Sequence, residues 1–102
     1  QKEIQLADQA LSDAAGAEER RLAELDDLDK EIARIEADIA KAEDLGKELE
    51  AKLVAASESA DGAAITSIAK DMDENKKTID SLYEAWEVKS AELEAAKDKY
   101  PI

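Results

Sequence analysis

The sequence predicts an all-α fold, an antiparallel two-helix coiled-coil hairpin, and three observations carry that expectation. Apolar residues recur every seven positions along two long stretches, a single polar break separates those stretches, and 40% of the residues are charged against 3% aromatic. Apolar side chains at the a and d positions of a heptad form a narrow stripe that is buried only against another helix. With one break between two such stripes, the economical partner for the first helix is the second.

In the first stretch one row runs Ile4, Leu11, Leu25, Ile32, Ile39 and Leu53, and its companion runs Ala7, Ala14, Leu28, Ile35, Ala42, Leu49 and Ala56. Ala, Leu, Glu, Lys, Arg and Asp dominate here, most of them good helix formers, and no Pro interrupts them. Glu18 and Arg21 replace apolar residues in the rows next to Gly16, so a kink or break is expected at about 15–20. Residues 1–20 are accordingly set apart as a helical overhang or a third, folded-back helix, ahead of a first coiled-coil helix over 21–57.

Residues 58–62 read as the loop. Ser57 to Gly62 combines small polar residues with a glycine, and Ser59 or Asp61 can accept hydrogen bonds from the first free amides of the following helix. The second helix is expected over 63–98, with rows Ile65, Met72, Ile79, Trp86, Leu93 and Tyr100 beside Ile68, Leu82 and Ala96. Pro101 disfavours helical geometry at Tyr100 and leaves 99–102 as a tail.

Folding one helix back on the other gives a register. With Ala56 against Ile65, Leu53 faces Ile68, Leu49 faces Met72, Gly46 faces Asn75, Ile39 faces Leu82, Ile35 faces Trp86 and Leu28 faces Leu93. Small tends to face large, as interdigitating seams prefer. Gly46 on the seam implies a close approach of the partner helix, with a hinge as the alternative. Asn75 opposite it is a polar seam group of the kind that fixes register. Leu22, Leu45, Val54 and Tyr83 flank the seam and widen the apolar stripe beyond what two helices cover, which implies a further helical surface.

The chemistry of the chain is sparse. It has no His and no Cys, so the commonest general base, the thiol nucleophile and the disulfide are absent. No P-loop, dinucleotide turn or serine elbow occurs, and the expectation is a non-enzyme that needs no cofactor and holds no specific metal. Asp71, Asp73, Glu74 and Asp80 lack the spacing of a calcium loop. A net charge of −13 repels phosphate backbones, and the densest basic neighbourhood, Lys76-Lys77, is flanked by Asp73, Glu74 and Asp80. No apolar run approaches the roughly 18 residues of a membrane span. The cytosol is the expected compartment, with an exported rod as the other. A chain beginning at Gln1 is expected to be a piece of a longer protein or a processed product.

Partner contact is therefore the function expected, through the unpaired Ile4, Leu6 and Leu11 and through the aromatic pair. Trp86 reads first as the largest seam residue and second as an anchor for a partner, and Tyr83 on the next ridge can serve either role.

The segment Leu82-Tyr83-Glu84-Ala85-Trp86-Glu87 resembles the C-terminal coiled-coil extension of ABC-F ATPases, soluble proteins with two ATP-binding cassettes, many of which act on ribosomes. The outline is similar over about residues 22–97: an acidic first helix, a short polar connection, and a second helix ending in a Leu-Tyr-x-x-Trp-Glu type of segment. Tyr83 and Trp86 carry the discrimination. Residues 1–20 lack the basic lead-in often found before such extensions, and no ATPase motif is present. The resemblance implies an accessory arm whose ATP-binding residues lie elsewhere, and it keeps a ribosome- or nucleic-acid-associated role open despite the charge. A homo-oligomeric structural rod of a bacterial surface or scaffold protein is the other reading.

Overall fold

A computed structural model describes the backbone of residues 2–99 and the side chains of residues 16–99. Two helices account for it: α1 over Lys2–Glu58 and α2 over Gly62–Lys99, packed antiparallel as an extended hairpin. Its extents are 88 × 18 × 15 Å and its radius of gyration is 24.3 Å. A compact domain of about 100 residues would have a radius nearer 13 Å, so the molecule is a rod. Fifty-seven helical residues at about 1.5 Å each account for the long dimension.

The seam is thin. Ile39, Ala42, Leu49, Ala56 and Ala96 are its buried apolar residues, with Asn75 among them, and no large side chain of the described residues is wholly enclosed. Leu25, Leu28, Ile32, Ile35, Leu53, Ile65, Ile68, Met72, Ile79, Leu82 and Leu93 are half-buried. Two helices can shield only one side of each of these side chains, and the grooves on either flank stay open to water. The seven-residue spacing thus sets the fold while leaving much of the stripe at the edge.

The turn between the helices is built from backbone bonds. Ala60 N–H donates to the Ser57 carbonyl at 3.2 Å, and Asp61 N–H reaches back to the Ala56 carbonyl at 3.0 Å. Together these form a Schellman motif, which satisfies the last carbonyls of α1. The left-handed residue the motif requires is Ala60, at φ 54°, and not a glycine. Gly62, which the composition of the break suggested as the turn residue, is the first residue of α2 and has an ordinary φ. Asp61 then caps α2: its Oδ1 accepts from Ala64 N–H at 3.1 Å, and its carbonyl accepts from Ile65 N–H at 2.9 Å. Of the two capping candidates, Asp61 is the one in place. Lys97 and Lys99 in the last turn of α2 lie where the helix dipole favours cations.

The break expected at about 15–20 is not a break, since α1 runs as one helix through Gly16. Its substitutes for seam packing are local and polar, with the Arg21 guanidinium bound to both carboxylate oxygens of Glu18 one turn earlier. That pair holds the Glu18 carboxyl below and the Arg21 guanidinium above their usual ranges. Nineteen residues separate the lengths of the two helices, and they place the N-terminal part of α1 beyond the end of α2. Lys99 Nζ, at that end, lies 3.7 Å from Glu24.

Candidate functional site

The surface that the heptad pattern leaves over divides into two long edges, one on each side of the seam. On one edge Asp38, Lys41, Leu45 and Lys52 of α1 face Asp71, Glu74, Thr78 and Leu82 of α2 across a groove of about 660 Å³ floored by Ala42, Leu49 and Asn75. On the other edge a groove of about 340 Å³ runs between Gly46 and Glu50 of α1 and Met72, Asp73, Lys76 and Ile79 of α2. A smaller cleft of about 220 Å³ extends the second edge between Glu36 and Ile39 on one side and Tyr83 and Trp86 on the other.

Both aromatics of that cleft are bound across the hairpin. Tyr83 Oη donates to Glu43 Oε1 at 2.9 Å, and Trp86 Nε1 points at Glu36 Oε1 across a longer 3.5 Å. Trp86 remains 37% exposed and Tyr83 45% exposed, so neither is a core residue despite the seven-residue spacing that places Trp86 in a seam row. The Glu43 carboxylate raises the Tyr83 phenol above its ordinary value of 10.0, first by accepting a hydrogen bond from the neutral phenol and second by its charge. The sequence singled out the aromatics but not their carboxylate partners. Glu36 and Glu43 lie seven residues apart on the ridge beside the seam, and that spacing was the available signal.

Two polar residues interrupt the seam itself. Asn75 Nδ2 donates to the Ala42 carbonyl at 3.0 Å, and a Cβ built on Gly46 would stand 3.3 Å from the same nitrogen. Lys89, which falls on the row of Ile68, Leu82 and Ala96, sends its ammonium out to Glu31 at 2.9 Å and Glu92 at 3.1 Å. One oxygen of Glu31, Oε2, is shielded from water without a hydrogen bond of its own and is offset by the charge of the Lys89 ammonium beside it, while the side chain as a whole is half-exposed. Both carboxylates raise the Lys89 pKa, with Glu31 the larger influence.

Ile4, Leu6 and Leu11 lie outside the residues whose side chains are described. Among the described residues, Leu22, Leu45, Val54 and Val88 are the other large apolar residues at the surface. Leu45 borders the larger groove, but Val54, expected to flank the seam, is 58% exposed and lines neither edge groove, and Val88 likewise lies at a heptad position away from the seam. Among the described residues no group of three or more carboxylates is placed to hold a metal ion, and no helix is long and apolar enough to cross a membrane. Compared with protein-family models, curated proteins and solved structures, the chain matches none.

Proposed function

We propose that this protein is a non-catalytic coiled-coil arm, a rigid spacer and docking surface within a larger protein or assembly. The observation that carries the reading is the 88 Å hairpin whose seam covers only part of its apolar stripe. A self-paired rod holds two ends apart at a fixed distance, and its half-covered edges can accept a further helix by helix-in-groove recognition. The polar seam groups fit the same role. Asn75 holds one register at some expense of stability, which suits a part whose geometry matters more than its resistance to heat.

Two contact regions follow. The N-terminal part of α1, with Ile4, Leu6 and Leu11 in its sequence, extends past α2 and is available to a partner or to a second copy. Tyr83 and Trp86 form the other region, and they are the residues through which the chain resembles the ABC-F extension. Within that family likeness the arm would belong to an ATPase whose cassettes lie elsewhere.

Sedimentation equilibrium over a wide concentration range, followed by the Leu6→Asp/Leu11→Asp variant, tests this. A monomeric chain whose partner contacts weaken in the variant supports an arm. A dimer that survives the variant unchanged removes the N-terminal segment as the contact region and moves the reading to a homo-oligomeric rod.

A further inference from the structure

We infer that the edge carrying Tyr83 and Trp86 is the docking face for a basic amphipathic helix of a partner, with arginine or lysine recurring at seven-residue spacing. This deepens the reading of the chain as an interaction arm and rests on it.

The first observation is where the aromatics are. The chain has three, and two of them stand together at the surface of one cleft. Exposed Trp and Tyr are the residues that most often dominate an interface, because each buries a large area with few rotatable bonds. Here each is also steadied from the opposite helix, Tyr83 by Glu43 and Trp86 by Glu36, so little ordering remains to be done on binding.

The second observation is the charge of the edge. Glu36, Glu43 and Glu50 are seven residues apart, which sets them about 10.5 Å from one another along a single ridge. All three are exposed. Tyr83 and Trp86 each engage one carboxylate oxygen, Oε1 of Glu43 and of Glu36. Asp73 across the groove is paired with Lys77, and Lys76 lines the same groove, so the three glutamates carry the negative charge of the edge. A helix laid along this edge would present one residue to each glutamate every two turns, and a cationic residue is the one that meets each favourably. Guanidinium groups also stack on indole and phenol faces.

The floor completes the match. Met72, Ile79 and Ile39 are the apolar residues along it, with Gly46 and Asn75 between them. A helix with a leucine stripe flanked by basic residues fits that floor and that rim together. A second copy of this chain fits poorly, since each copy carries a net charge of −13 and would bring carboxylates to a carboxylate ridge. The opposite edge has the larger groove, but Lys41 and Lys52 line it among Asp38, Asp71 and Glu74 and it carries no aromatic residue.

The test uses the full chain and two synthetic three-heptad peptides with the same leucine stripe, one with arginine at the flanking heptad position and one with glutamate. Trp86 is the single Trp, so its emission reports this cleft directly. The arginine peptide is expected to shift that emission to the blue in a saturable, salt-sensitive way, and the glutamate peptide to leave it unchanged. Glu36→Gln/Glu43→Gln/Glu50→Gln should weaken binding at least tenfold, Tyr83→Ala should weaken it as well, and Leu45→Ala on the opposite edge should not. Circular dichroism establishes that each variant remains helical.

Equal binding of both peptides, full affinity in the triple variant, or no response at Trp86 would overturn the proposal. So would a blue shift of the Trp86 emission as the concentration of the chain alone is raised, which would make a second copy the occupant. Each of these outcomes is separable from the wider reading, because sedimentation of the chain reports assembly through any of its surfaces.

Discussion

The side-chain amide of Asn75 donates to the main-chain carbonyl of Ala42 across the seam, 3.0 Å away, in space that the missing side chain of Gly46 leaves open. A carbonyl inside an α-helix already accepts from the amide four residues on, so the bond uses its second lone pair and leaves the ladder of α1 intact. A Cβ at position 46 would press on Asn75 Nδ2 at 3.3 Å, and that nitrogen is held in place by its own bond. Gly46→Ala therefore combines a helix-propensity gain of roughly 1 kcal/mol with a disturbance of similar size to a bond worth about 1 kcal/mol net. The expected result is near-neutral stability in the natural background. In an Asn75→Ala background the same substitution should stabilise by about 1 kcal/mol, because its obstacle is gone. A double-mutant cycle by urea denaturation measures the difference, and additive effects would show that the two residues do not constrain each other.

The turn offers a sharper sign. Ala60 occupies a left-handed conformation at φ 54°, where a Cβ crowds the following carbonyl by roughly 1–2 kcal/mol and glycine does not. Ala60→Gly should raise stability by about 1 kcal/mol, the strain relieved being partly offset by the greater freedom of an unfolded glycine. Asp61→Ala should lower it by about 1 kcal/mol, since the Ala64 amide loses its acceptor. Gly62→Ala should be tolerated, as nothing lies within 4 Å of the position a Cβ would take. Thermal unfolding of the three variants checks all three signs.

The turn also shows what was legible in the sequence and what was not. The fold was legible, because seven-residue periodicity is a property of the chain itself and two such stretches with one break have few ways to bury their stripes. The exact turn was not: glycine preference pointed to Gly62, whereas the Schellman geometry falls at Ala60, because the last turn of α1 continues to Glu58. Trp86 shows a second limit. Its place in a seam row suggests burial, but a two-helix seam cannot enclose an indole, so the ring rests on the rim with 37% of its surface exposed. That two helices leave apolar edges uncovered was legible from flanking residues such as Leu45 and Tyr83, but the shape of the edge grooves was not, since it arises from how the helices pack and not from any residue alone. Lys89 shares the row of Ile68, Leu82 and Ala96, yet nothing in that spacing shows its route to Glu31, which depends on the flexible stem reaching the rim.

Tyr83 gives a prediction in the alkaline range. Its phenol is raised above 10.0 because it donates to the Glu43 carboxylate and lies beside that charge. A group whose folded pKa exceeds its unfolded value near 10 contributes stability in full below that value and loses it as pH rises through the folded one. Phenolate absorbance titration of the chain and of Tyr83→Phe separates Tyr83 from Tyr100. The expectation is a Tyr83 midpoint above 10.0 that falls back in Glu43→Gln, where the charge is removed. An unchanged midpoint in Glu43→Gln would mean that the carboxylate is not the cause.

The pairing of Lys89 with Glu31 predicts a sign reversal. Lys89→Leu puts a better-packing side chain on the seam row but strips the shielded Glu31 oxygen of its ammonium. The single variant should be slightly less stable than the natural chain, since the half-exposed Glu31 carboxylate loses its ion pair while Oε2 stays shielded. Lys89→Leu/Glu31→Leu should be more stable than either, because the charge that needed compensation is gone and the seam gains apolar contact. Ranking the melting temperatures decides this, and a Lys89→Leu variant more stable than the natural chain would mean that Glu31 readily turns out to solvent.

Salt acts on the whole rod. Exposed ion pairs within one helix, such as Asp26 with Lys30 and Asp73 with Lys77, are weakened by added salt, and so are the cross-helix contacts of Lys89. The opposing effect is the screening of self-repulsion among 27 acidic residues set against 14 basic ones. Repulsion has the larger number of terms, because an antiparallel hairpin only 18 Å across holds its unpaired carboxylates within a few Debye lengths of one another. The melting temperature should therefore rise by a few degrees as sodium chloride goes from a low level to about 0.15 M, where the Debye length is about 8 Å. A Glu50→Lys variant, which removes one term of the repulsion beside Asp73, should show a smaller rise. A melting temperature that falls with salt would assign the dominant electrostatic contribution to the ion pairs and would weaken the case for the Glu36–Glu43–Glu50 ridge as a source of uncompensated negative charge.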